Sequence, residues 1–183
     1  MNHEEYEFTL VVGGIREVTA QIENGLFESG CDDATISVRY GRVFITFSRE
    51  GASFKDAMIS AIKDVRRANV GATVLRVDQC DLVTQADIAR RIDRSRQLVN
   101  QYLAGERGPG GFPAPACNLI DGSPLWDWCE VAFWLCENNL IEENALRDAQ
   151  DLTVINSVLE LEHQRTLAPD LTQQIMDELC LPR

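Results

Sequence analysis

The strongest constraint on this chain is the stretch of residues 84–103, where two helix starts stand eleven residues apart. Thr84 is a good N-cap, and Asp87 puts a carboxylate where the first amides of a helix lie exposed. Ser95 is a second natural N-cap. The spacing predicts a first helix that turns Ile88 and Ile92 inward and a second that turns Leu98, Val99 and Tyr102 inward. Ala89 is small where two helices joined by a three- or four-residue turn must cross closely. Asp93 falls in that turn and tolerates a left-handed backbone better than most residues.

The residues before it follow a different rhythm. Tyr6, Phe8, Leu10 and Val12 alternate as in a strand, and Gly13-Gly14 breaks it at a strand-to-helix turn. Ile15, Val18, Ile22 and Leu26 fall on one helical face, with Gly30 as the terminating glycine. Ala34, Ile36 and Val38 alternate, as do Val43, Ile45 and Phe47, and the Tyr40-Gly41 turn between them predicts a hairpin. Ser53 and Asp56 form an acidic variant of the capping box, followed by Phe54, Met58, Ile62 and Val65 on one face and a last strand over 72–77. This β-α-β-β-α-β order resembles the ferredoxin-like split fold. The fold class is therefore α+β, with a ferredoxin-like domain over 1–79 suited to dimerisation or sensing. That fold names no function. Phe44, the one aromatic suited to an exposed strand face, reads as packing, since no aromatic run for base stacking surrounds it.

Composition narrows the function classes. No apolar run reaches the roughly 18–20 residues that span a bilayer, and the acidic N-terminal stretch has no apolar segment of a leader. No membrane partner is expected, and a cytoplasmic location is. The six cysteines include no C-x-x-C pair, and His3 and His163 are far apart. Buried free thiols are expected rather than zinc or disulfides. No phosphate-loop or long dinucleotide-binding glycine motif occurs, and no nucleophile sits in a recognisable elbow. The chain reads as a non-enzyme without cofactor or metal. Its net charge of −12 opposes nucleic-acid binding only on average. Residues 127–183 hold twelve acidic and three basic residues, whereas residues 81–126 hold five of each, and the five basic ones are all arginines.

Those arginines give the two-helix stretch its chemistry. Ser95, Arg96, Gln97, Asn100 and Gln101 remain on the outer side of the second helix. Arginine pairs with guanine edges, and asparagine and glutamine pair with adenine. These five are the candidates for base contact from the helix over 95–103. Thr84, Gln85, Arg90, Arg91, Arg94 and Arg107 are the candidates for phosphate contact, which sets register without reading sequence. The pattern Gln85-Ala-Asp-Ile-Ala89, then Ser95, then Val99 and Tyr102, resembles bacterial and phage helix-turn-helix regulators; Asp93 stands where that family usually has glycine. Downstream, Phe112-Pro113-Ala-Pro115, Asp121-Gly122 and the run Trp126, Trp128, Glu130, Val131, Trp134, Leu135 resemble the wing and closing helix of MerR-type and excisionase-like domains. Trp128, Val131 and Leu135 read as core, as do Cys129 and Cys136 on one helical face. The wing carries no lysine or arginine between Pro109 and Trp126.

The resemblance implies a winged helix-turn-helix over 80–139 that binds double-stranded DNA, normally as a homodimer, in a transcriptional regulator. Residues 140–183 read as acidic C-terminal helices for oligomerisation or partner binding. Leu152, Ile155 and Leu159 form a stripe that Val158 and Leu161 broaden, and Pro169-Asp170 opens a further helix bearing Leu171, Ile175 and Leu179. Two rival readings follow: an antitoxin-like or adaptor subunit acting through those helices, and a ligand sensor built on the N-terminal domain.

Overall fold

A computed structural model describes residues 4–117 and 122–179. It is a mixed α and β structure that divides into two compact units. One comprises Met1–Asp78 with Val154–Arg183, and the other Gln79–Thr153. From sequence, boundaries fall near 79 and 139. By contacts, the second division lies inside one long helix.

The first unit is built on strands β1 (Glu4–Gly13), β2 (Ala34–Arg39), β3 (Arg42–Gly51) and β4 (Thr73–Val77), with helices α1 (Ala20–Glu28) and α2 (Phe54–Arg67). The strands form one sheet in the order β2-β3-β1-β4, antiparallel throughout. Alternation puts Phe8, Leu10, Val12, Val43, Ile45 and Phe47 on the buried face. A register shift in the β1–β4 pairing lets Val74 and Val77, three residues apart, both be buried beside Val12 and Leu10. Helix α2 lies against β1, β3 and β4 and buries Ala57, Met58, Ala61, Ile62 and Val65. Its N-cap is Ser53, whose hydroxyl accepts from the Asp56 amide. The first helix begins later than its apolar spacing predicts. Thr19 caps it and Ala20 opens it, so Ile15 and Val18 lie in the preceding connection. The hydroxyl at the cap sets that start more strongly than the apolar rhythm does. Gly14 turns the chain at φ +82°, and a Cβ there would stand 2.1 Å from the Gly71 carbonyl oxygen, so no other residue fits. At the far end of α1, Gly30 sits at φ +101°, with Cys31 and Gly30 donating to Leu26 and Phe27 carbonyls. This is a Schellman termination.

A polar network that alternation does not announce ties this unit together. Arg49 is on the buried face of β3 and is 7% exposed. Its Nε and Nη2 donate to the two carboxylate oxygens of Asp33 at 2.7 Å each, its Nη1 donates to Asp64 at 2.6 Å, and its Nη2 donates to the Gly30 carbonyl at 2.5 Å. The guanidinium lies 4.9 Å from the Phe47 ring centre. The two carboxylates hold its pKa above the ordinary arginine value. One side chain thus joins the end of α1, the approach to β2, β3 and α2.

Helix α6 (Glu143–Leu167) begins in the second unit, and from Val154 it belongs to the first. Its buried Asn156 accepts from the Val77 amide at 2.8 Å and donates to the Val77 carbonyl at 3.4 Å. An amide side chain thereby occupies backbone groups at the outer edge of β4, which would otherwise invite another strand. Leu152 and Leu159 are buried as their spacing predicts, whereas Val158 and Leu161 are exposed and do not broaden the stripe. Helix α7 (Pro169–Leu179) starts at the predicted proline and has no buried residue.

Of the described cysteines only Cys31 is buried; Cys117, Cys129 and Cys136 are half-buried and Cys80 is exposed. Expected burial of Cys129 and Cys136 therefore holds only in part, because the neighbouring Val131, Ala132 and Leu135 take the innermost positions. Cys180 lies outside the described residues.

Removing Arg49 leaves two carboxylates without their shared cation. Arg49→Met is expected to lower the unfolding free energy by about 3–5 kcal/mol, the scale for breaking a buried charge pair on one side, as read by urea denaturation. A loss below about 1 kcal/mol would show that the network contributes little.

Candidate nucleic-acid interface

The second unit contains β5 (Leu82–Val83), α3 (Gln85–Arg91), α4 (Arg96–Leu103), β6 (Trp126–Asp127), α5 (Trp128–Glu137) and the first turns of α6. Its core is Val83, Ile88, Ala89, Val99, Tyr102, Trp126, Val131, Trp134 and Leu135, with Ile92, Leu98, Phe112 and Trp128 packed around it. The inward sides of α3, α4 and α5 agree with the spacing of their apolar residues.

Aromatic rings fix α4. Tyr102 on α4 lies 5.4 Å from Trp134 on α5, and Phe112 fills the corner, 4.9 Å from Trp134 and 6.5 Å from Tyr102. Trp134 Nε1 donates to the Gly110 carbonyl at 2.9 Å, and Trp126 Nε1 donates to the Pro113 carbonyl at 3.1 Å. Each indole thus buries its ring and satisfies its N–H on the loop after α4. Gly108 sits at φ +80° with room for no Cβ except one 3.3 Å from the Tyr102 ring. Leu125 and Cys117 form an antiparallel bridge, and β6 pairs with β5, so the chain returns from its excursion beside the start of α3. The proposed Asp121-Gly122 turn includes Asp121, which lies outside the described residues; Gly122 has φ +70°.

The turn between α3 and α4 takes the expected form. Asp93 has φ +50°. Its amide donates to Arg90 O at 3.3 Å, and the Arg94 amide donates to Ala89 O at 2.9 Å. This is the Schellman pattern, with aspartate where glycine is usual. Helix α3 starts with a complete capping box: Thr84 Oγ1 accepts from the Asp87 amide, and the Asp87 carboxylate accepts from the Thr84 amide at 3.0 Å. The Thr84 hydroxyl and then the Thr84 amide hold the Asp87 carboxyl below its ordinary range, with Arg90 adding attraction.

The candidate base-contact residues come together. Ser95, Arg96, Gln97 and Asn100 are exposed and Gln101 is half-buried. Ser95 accepts from the Leu98 amide as the N-cap, whereas among the described residues the side chains of Arg96, Gln97, Asn100 and Gln101 make no hydrogen bond. They form a polar face on the first two turns of α4, opposite Val99 and Tyr102.

The candidate phosphate-contact residues are dispersed. The Thr84 hydroxyl is engaged in its cap and also donates to Asp87 at 2.6 Å. Gln85 is half-buried at the first position of α3. Arg90 is exposed but paired with Asp87 at 2.5 Å. Arg91 turns away: its guanidinium stands 4.7 Å from the Trp128 ring centre and donates to the Cys80 carbonyl at 2.8 Å. Burial holds its pKa below the usual arginine value, and its Nη1 is buried with no hydrogen-bond partner among the described residues. Arg94 and Arg107 are exposed, Arg94 donating to the neighbouring Asp93 carbonyl. The Asp87–Arg90 pair has a sequence signal, the i,i+3 spacing of opposite charges. The seating of Arg91 on Trp128 has none, since the two are brought together only by the fold.

Comparison of the chain with protein-family models, with curated proteins and with solved structures found no match. The candidate interface therefore stands on its geometry.

Because the folded state lowers the Asp87 pKa, the capping contribution is complete above the unfolded value of about 3.9 and is lost as pH falls through the folded value. Asp87→Asn is expected to cost about 0.5–1 kcal/mol at neutral pH. That difference should shrink and then vanish as pH falls through the lowered folded value. Thermal unfolding of both proteins from pH 7 down to the acid limit measures it, and a constant difference would assign the effect to something other than this carboxylate.

Proposed function

We propose that the chain is a sequence-specific binder of double-stranded DNA rather than an enzyme, a transcriptional regulator of the bacterial or phage type, and that α4 enters the major groove. The observation that carries this is the polar face of Arg96, Gln97, Asn100 and Gln101. These side chains are unengaged among the described residues and stand on a helix whose opposite side is locked by aromatic packing. Side chains that read bases must be free to meet donors and acceptors on base edges, while the helix that carries them must not move. The order β5-α3-α4-β6-α5, with a strand pairing back across the start of α3, supports a winged helix-turn-helix. The order β2-β3-β1-β4 supports a ferredoxin-like reading of the first unit. A homodimer would present two α4 helices to half-sites roughly 34–36 Å apart.

The pairing of Arg90 with Asp87 and the seating of Arg91 on Trp128 favour Arg94 and Arg107 as the main phosphate contacts of this reading. DNA selection with the full chain should return a recurring motif. Arg96→Ala or Gln97→Ala should cost about 1–3 kcal/mol of discrimination at one base position. Arg94→Ala should weaken all duplexes alike and reduce the salt slope by roughly 1, with Arg90→Ala having the smaller effect. Asp93→Gly should relieve a left-handed non-glycine residue and remove a carboxylate, raising both stability and affinity. Absence of any enriched duplex at low salt would end the DNA reading.

A second reading has its own observation. On α7, Leu171, Ile175 and Leu179 share one face and are 56%, 44% and 74% exposed. An amphipathic helix bearing acidic Asp170, Asp177 and Glu178 on a surface of this kind suits a basic, apolar-faced protein partner. Leu171→Asp with Ile175→Asp should abolish binding of such a partner and leave unfolding and DNA binding unchanged. A fall in melting temperature of several degrees would instead mean that α7 packs on its own chain.

A further inference from the structure

Strands β2 and β3 meet at the two-residue turn Tyr40-Gly41, where both residues have positive φ, 52° and 72°. Tight hairpins require this geometry and normally fill it with asparagine, aspartate or glycine. A tyrosine there is disfavoured by its bulk. The ring does nothing inside the fold in return, since Tyr40 is 106% exposed. The flanking Arg39 and Arg42 are direct cross-strand partners, and both are exposed. Like charges directly opposite each other weaken a hairpin. Two features that work against stability, and a ring that contributes no packing, therefore coincide on four consecutive residues, the pattern that marks a functional segment.

The surroundings narrow the ligand. Residues 34–49 contain three arginines and no Asp or Glu, in a chain of net charge −12. Arg49 is taken up by Asp33 and Asp64, so the exposed charge is that of Arg39 and Arg42. Strand alternation puts these two on the sheet face opposite the Val43, Ile45 and Phe47 core, together with half-buried Phe44 and its cross-strand partner Ser37.

We propose that the hairpin tip at residues 39–42 binds single-stranded nucleic acid, with a base stacked on Tyr40 and the flanking phosphates held by Arg39 and Arg42. Paired guanidiniums alone would serve any polyanion. A fully presented aromatic ring adds what a base needs and a carboxylate does not. A single strand offers free base faces, which a closed duplex does not. The site is independent of the reading of α4.

The test uses the full chain and a short labelled oligothymidylate, with binding followed by fluorescence anisotropy at several salt concentrations. Tyr40→Gly should weaken binding by about 5- to 100-fold while raising the melting temperature by about 2–4 °C, so the loss is not one of folding. Arg39→Gln and Arg42→Gln should each reduce the salt slope by about 0.7. The triple variant Arg96→Ala, Gln97→Ala, Asn100→Ala should bind oligothymidylate as wild type does, which separates this site from α4. The proposal is overturned if wild type binds no oligothymidylate at low salt, if Tyr40→Gly binds as tightly as wild type, if an abasic strand of equal length binds equally well, or if a blunt duplex displaces the single strand more effectively than the strand itself.

Discussion

The contact on which the second unit depends is the meeting of Tyr102, Phe112 and Trp134. Two short helices and a glycine-rich excursion have little stability of their own. The three rings bring one residue each from α4, the loop after it and α5 into a single apolar volume, and the Trp134 N–H anchors the loop backbone at Gly110. Burial of rings of this size supplies the free energy that short helices lack, and their hydrogen-bonding edge gives the packing a direction. The polar side of α4 is held out because its other side is held in. Capping boxes and Schellman turns then set where each helix begins and ends, but they do not decide what it packs against.

The first unit solves a different problem. Its sheet has one buried face, and the conventional content of such a face is apolar. Arg49 is an exception that links four chain segments through Asp33, Asp64 and Gly30. A buried cation of this kind is stable only when it is fully partnered. It specifies how α1, β2, β3 and α2 meet more narrowly than hydrophobic burial would. Asn156 acts similarly at the edge of β4, where a side-chain amide takes up the hydrogen bonds of one residue of an open strand.

Much of this was legible from residues in order. Alternation located the strands, Tyr40-Gly41 the hairpin, and Ser53, Thr84 and Ser95 the helix starts, because these signals act over three or four residues. The candidate base-contact set was legible for the same reason: once the inward side of α4 was identified, the outward side followed. The phosphate-contact set was less legible. Arg90 and Arg91 are adjacent in sequence, yet one is paired with Asp87 on the surface and the other is stacked on Trp128. Their fates differ because neighbours on a helix point about 100° apart, and only one of those directions faces α5.

By itself, then, the sequence determined the order of elements in the first unit, the two-helix unit at residues 84–103, and the left-handed turn at Asp93, all features governed by local backbone preference and by the period of apolar residues. The tertiary structure decided which polar side chains remain available. It committed Arg49 to two carboxylates and Arg91 to an indole, and it left the outer side of α4 and the tip at Tyr40 open. That choice rests on contacts between residues far apart in the chain, whose energies depend on burial and geometry that no local pattern encodes.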